Sequence, residues 1–84
     1  MVTDDSAIPD VLPGLRTALD RTRAVGMQLV GLSVHDANEL AARSRCELRE
    51  VRRDGKWFAI TADLRTNRIN IETEGGVVIS ASVG

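Results

Sequence analysis

The apolar positions of the chain follow two rhythms, helical first and alternating later. From Pro9 onward Val11, Leu12, Leu15, Ala18, Leu19 and Val25 recur at helical spacing, while Arg16, Asp20, Arg21 and Arg23 occupy the other side. The pattern predicts an amphipathic helix over 9–25, ended by Gly26. Pro13 sits where a missing amide costs least, so a helix beginning only at Pro13 is equally consistent. Covering a core is the ordinary role of such a helix, and filling a partner's groove is the alternative. Residues 1–7 are polar and are expected to fray.

A second helix starts within "LVGLSVHDANELAARSRC". Ser33 can cap it, and Asp36 three residues on can answer in a shortened capping box, its charge favourable beside the N-terminal dipole. Val34, Ala37, Leu40 and Ala41 then form the inward stripe. From Cys46 to Arg52 the chain alternates loosely around Leu48 and Val51 and reads as a strand, after which "RRDGK" turns it at Asp54-Gly55. Alternation is cleaner from Asn67 to Glu74: Ile69, Ile71 and Thr73 point one way, Arg68, Asn70 and Glu72 the other. Gly75-Gly76 turns the chain into "VVISASV", where Val77, Ile79, Ala81 and Val83 share a face, giving an antiparallel hairpin.

Arg53 to Thr66 carries no helix signal. A hairpin needs only about two to five linking residues, whereas a parallel crossover needs about a dozen. The length of this stretch therefore predicts a parallel strand pair joined by a long exposed loop. The expected fold is α+β: a small mixed sheet with that parallel pair and a C-terminal hairpin, one packed helix, and an extra N-terminal helix. All of it fits a single domain of 84 residues.

Composition narrows the function classes. With 11 basic and 12 acidic residues there is no cationic excess of the kind nucleic-acid binding demands. The opening "MVTDDSAIPD" has no apolar run, so neither a signal peptide nor a membrane anchor is read there, and a cytoplasmic location is expected, with export by another route left open. Cys46 is the sole cysteine, which excludes an internal disulfide and reads as a buried strand thiol. His35 is the sole histidine and falls in an exposed first turn; it reads as a solvated residue, with metal binding or catalysis as the alternative. So few candidate groups argue against an enzyme, and no cofactor or metal is expected.

What remains is the chemistry of "ITADLRTNRIN". If the long loop folds back over the sheet, Arg68 and Asn70 lie beneath it and Arg65 sits on its returning limb, with Thr61 and Asp63 placed to receive their hydrogen bonds. Guanidinium forks onto carboxylates are strong, and several together can stiffen a backbone that has no secondary structure. Ordinary surface ion pairing, each pair contributing about 0–1 kcal/mol, is the plainer alternative. A stiff crest of Ile60, Thr61, Ala62 and Asp63 would suit a protease, which binds its substrates as extended strands.

The stretches "LVGLSVHDANELA", "ITADLRTNRINIE" and the final "SVG" resemble the potato inhibitor I family of serine protease inhibitors, the eglin c and chymotrypsin inhibitor 2 type. The run "RTNRINIE" is more similar still to the small bacterial and fungal elastase inhibitors. The resemblance covers Leu29 to Gly84, roughly two thirds of the chain. It implies a helix on a small mixed sheet and a protruding loop, Ala59, Ile60, Thr61, Ala62, Asp63 and Leu64, that blocks a protease in a substrate-like manner. Ala62 would enter the primary specificity pocket, Asp63 would follow the scissile bond, and Arg65 and Arg68 would support the loop. Asn70 replaces a second strand arginine usual in the plant and leech members but agrees with the bacterial and fungal pattern. The implied partner is a subtilisin-like or elastase-like serine protease, met by a monomer; a non-inhibitory interaction module on the same fold is the rival reading. The N-terminal helix has no counterpart in the family, and Trp57 and Phe58 either tuck against the core or stay exposed as protease contacts.

Overall fold

A computed structural model describes residues 13–84. Its elements are α1 (Pro13–Leu29), α2 (Val34–Arg43), β1 (Glu47–Arg53), β2 (Lys56–Trp57), β3 (Arg68–Glu74) and β4 (Val77–Val83). The strands form one sheet in the order β2-β1-β3-β4, with β1 and β3 parallel and both outer pairs antiparallel. The fold is thus α+β, with the parallel pair and the C-terminal hairpin that the alternation and loop length required. Among the described residues no helix is long and apolar enough to cross a membrane.

The first helix runs through Gly26 and ends at Leu29. Gly26 is buried against the sheet, and a Cβ on it would sit 3.7 Å from both Ala81 Cβ and Ile69 Cγ2, an ordinary contact distance, so the helix continues through it. The stop comes later, where Gly31 takes a φ of 94°, the left-handed region that glycine enters freely. The part of the expected helix over 9–12, and the expected frayed tail over 1–7, lie outside the described residues.

Val25 and Leu29 from α1, Ala37 from α2, Ile69 and Ile71 from β3 and Val78 from β4 form one buried cluster. Leu32, Leu40, Cys46, Leu48 and Ala81 pack around it. The first helix therefore contributes to the core directly and is not an appendage to residues 29–84. Ser33 caps α2 by accepting the Asp36 backbone N–H at 3.0 Å, as the sequence pattern suggests. Cys46 lies just before β1, half-buried, with its thiol 3.6 Å from the Ser44 carbonyl.

Two strand details differ from the alternation. In the β3–β4 hairpin Glu72 pairs with Ser80 but Thr73 pairs with Val78, so Ile79 is an extra residue in β4. The bulge turns Val78 into the core and leaves Val77 and Ile79 exposed, breaking the single face expected for Val77, Ile79, Ala81 and Val83. The stretch over 53–66 is also not wholly loop. Asp54 and Gly55 both adopt positive φ, 51° and 84°, and fold Lys56–Trp57 back on β1 as a short hairpin. Asp54 ties that turn to the neighbouring one, its carboxylate accepting the Gly75 N–H at 2.8 Å.

Because the space beside Gly26 admits a methyl at ordinary contact distance, Gly26→Ala should stabilise the protein by about 0.5–1 kcal/mol through helix propensity. Urea unfolding measures this, and a loss of stability would show that the helix approaches the sheet more closely than described.

Candidate functional site

Residues 58–65 have no helix, strand or turn, and every one is exposed. Their shape is set by side chains that reach up from the sheet. Parallel pairing of β1 with β3 places Glu47 beside Arg68 and Arg49 beside Asn70 at the end of the sheet to which the loop returns.

Arg68 is the most buried of these groups, only 4% exposed. Its Nη2 donates to the Asp63 backbone carbonyl at 2.7 Å and its Nη1 to the Asp63 carboxylate at 3.4 Å. The same guanidinium donates to the Gly84 carbonyl from Nε at 3.2 Å and from Nη2 at 2.8 Å. Gly84 is held in turn, donating its N–H to the Arg68 carbonyl at 3.0 Å and accepting the Arg65 N–H at 3.0 Å. A Cβ on Gly84 would fall 2.8 Å from Asn70 Nδ2, so only glycine fits there without moving the Asn70 amide.

Asp63 is the hub on the loop side. Its carboxylate accepts from Arg65 Nε at 3.4 Å, from Arg68, and from the Thr61 hydroxyl in a short hydrogen bond, with Arg49 Nη1 at 3.8 Å. These donors, the Thr61 hydroxyl first and then Arg68 and Arg65, hold the Asp63 carboxyl down at about 2, against an ordinary value of 3.8. Arg65 also reaches Glu47 at 3.3 Å, which ties the returning limb to the start of β1.

The expected supporters are therefore brought together, with one exchange of roles. Arg65 and Arg68 meet Asp63, but the group that reaches Thr61 is Arg49, whose Nη1 lies 3.2 Å from the hydroxyl and 3.4 Å from the carbonyl. Asn70, expected beneath the loop as a donor to it, instead accepts Arg49 Nε at 2.8 Å and aims that guanidinium upward. Sequence reasoning missed Arg49. The signal for it was its place opposite Asn70 once β1 and β3 are set parallel.

A further anchor comes from α1, where the buried Thr22 hydroxyl lies 2.5 Å from the Thr66 carbonyl and 2.9 Å from that of Ala18. On the departing limb Trp57 and Phe58 do not tuck into the core. They are 66% and 42% exposed and lie under the guanidiniums of Arg52 and Arg53, at 5.3 and 5.4 Å from the ring centres.

The arrangement leaves Ala62 at an exposed crest between two held carbonyls, Thr61 by Arg49 and Asp63 by Arg68. Elsewhere, His35, Asp36 and Glu39 bring one ligand atom each within 4.8 Å of one another on α2, all exposed, where water competes for every position. His35 itself lies 3.5 Å from Glu39 and shares an ordinary helical ion pair when protonated.

Arg68→Ala would remove the charge-assisted hydrogen bonds to the Gly84 and Asp63 carbonyls, leaving the former only the Arg65 N–H, and should cost about 1–3 kcal/mol in unfolding free energy. A change near zero would reduce the cluster to surface pairing.

The depressed Asp63 pKa makes its contribution to loop order full above pH 3.8 and lost as the pH falls through about 2. Carboxyl carbon shifts followed by NMR should show Asp63 titrating near 2 in the native chain and nearer 3.8 in Thr61→Val. A native value at or above 3.8 would contradict the hydrogen bonds described.

No family model, curated protein or solved structure matches this chain, so the functional reading rests on the loop's own geometry.

Proposed function

We propose that the protein is a substrate-like inhibitor of a serine protease, presenting Ala62-Asp63 as the bond offered to the enzyme. The observation that carries this reading is the clamping of both neighbours of Ala62 while Ala62 itself stands exposed. The protease supplies all the chemistry: its serine attacks the Ala62 carbonyl carbon, its histidine moves the proton, and its oxyanion hole stabilises the negative oxygen. The inhibitor supplies shape.

Preorganisation lowers the ordering cost of binding, which for a free segment is about 1–2 kcal/mol per residue. It also governs the fate of the bond. After acylation the new Asp63 amine would stay near the acyl carbon, because Asp63 is fixed through its carbonyl and carboxylate to Arg68 and Arg65. Thr61, on the acyl side, is fixed to Arg49. Re-formation of the peptide bond then competes with hydrolysis, and the complex persists.

The methyl side chain of Ala62 suits a shallow primary pocket, as in elastase-like or subtilisin-like enzymes. Exposed Phe58, Ile60 and Leu64 flank it and supply apolar contact area. The same exposed crest would serve a non-protease partner in the rival reading, and cleavage chemistry separates the two.

Titration against elastase and subtilisin should give stoichiometric inhibition of at least one, with slow cleavage confined to Ala62-Asp63. Arg49→Ala should turn the inhibitor toward substrate, raising the rate of cleavage at that bond by about tenfold or more as Thr61 is released. No inhibition at micromolar concentration, or rapid cleavage of the native chain, defeats the reading.

A further inference from the structure

Of the ten arginines, Arg16 and Arg23 lie exposed on α1, Arg23 beside Asp20, and the other eight divide into two groups. Those of the sheet and loop are paired: Arg49 with Asn70 and Asp63, Arg52 with Glu72, Arg53 with Glu50, Arg65 with Glu47 and Asp63, Arg68 with Asp63. Arg21, Arg43 and Arg45 have no ion pair among the described residues. They line one open cavity of about 380 Å³, with Val25 and Ser44 completing its wall. Among the described residues no carboxylate lines it, and none of its lining residues takes part in the loop network.

We propose that this cavity between α1 and the C-terminal end of α2 binds a phosphate monoester. Three arginines lining one space concentrate positive charge there, and a phosphate dianion offers acceptor oxygens suited to forked guanidinium donors. The volume accommodates the phosphate with a small organic substituent, for which Val25 offers an apolar wall. A helix C-terminus ordinarily repels anions through its free carbonyls. Here the Leu40, Ala41 and Ala42 carbonyls already accept the N–H groups of Ser44, Arg45 and Cys46 at 2.8 to 3.1 Å, so that opposition is reduced.

The backbone at Arg45 bears on how the cavity can be tested. Arg45 holds a φ of 58°, the left-handed conformation that glycine adopts freely and that strains a long side chain. That conformation belongs to the end of α2, where the Cys46 N–H donates to the Ala41 carbonyl and the Arg45 N–H to that of Ala42, the pattern in which helices commonly close on a left-handed residue.

The conformation also provides the test. Arg45→Gly relieves the backbone while deleting one guanidinium, so any loss of binding cannot be blamed on unfolding. Backbone amide shifts of the full chain are to be followed on titration with inorganic phosphate, phosphoserine and acetate. Saturable shifts confined to residues around Arg21, Arg43, Ser44 and Arg45 are expected with the phosphates and not with acetate.

Arg45→Gly and Arg43→Ala should each weaken phosphate binding by about tenfold or more. Arg16→Ala, which removes an exposed arginine outside the cavity lining, should leave it unchanged. A phosphoserine peptide that binds more tightly than inorganic phosphate assigns the site to phosphorylated side chains; equal binding assigns it to free phosphate. Non-saturable shifts, equal response to acetate, or equal weakening by Arg16→Ala would overturn the proposal.

Discussion

The guanidinium of Arg68 joins two parts of the chain that no regular hydrogen-bond ladder could join. It is buried at the start of β3, and a buried cation is costly unless its donors are satisfied. Its partners are the crest of the loop, through Asp63, and the end of the chain as described, through Gly84. The loop cannot move far without leaving that charge unpaired. Loop shape and fold stability are therefore coupled through one side chain, which is how a segment without secondary structure comes to have a defined form.

The rest of the sheet serves that junction. Both helices contribute side chains to a small apolar cluster with β3 and β4, which fixes the positions of Ile69 and Ile71 and hence of the alternate residues Arg68 and Asn70. Parallel pairing then carries Arg49 alongside Asn70 and Glu47 alongside Arg68. With 84 residues there is little core to spare, and the buried cluster owes two of its six members to α1. The helix holds the loop more directly as well, since Thr22 meets the Thr66 carbonyl at the base of the returning limb.

Much of this was legible in the residues, for identifiable reasons. Ile69, Ile71 and Thr73 alternate with polar neighbours, so the faces of β3 could be read from period alone, and the length between β1 and β3 indicated parallel pairing. Gly26 misled because a glycine near a helix end reads as a stop, whereas here the helix carries it against Ala81 and Ile69 and ends at Leu29, two residues before the left-handed Gly31. Val78 was hidden by a one-residue bulge, which reverses the faces without any mark in the alternation. Arg49 was hidden for a different reason: its contact with Asn70 spans 21 positions and exists only in the parallel register. Local pattern identifies strands, but a cluster built across strands becomes visible only once pairing is known.

The central claim is that the crest over 59–65 is rigid in solution because Arg49, Arg65 and Arg68 hold it. Backbone amide relaxation tests this most directly. The account predicts order parameters for these residues close to the rigid-backbone value of about 0.85, falling in Arg68→Ala. Values below about 0.6 in the native chain, the range of a flexible segment, would contradict it.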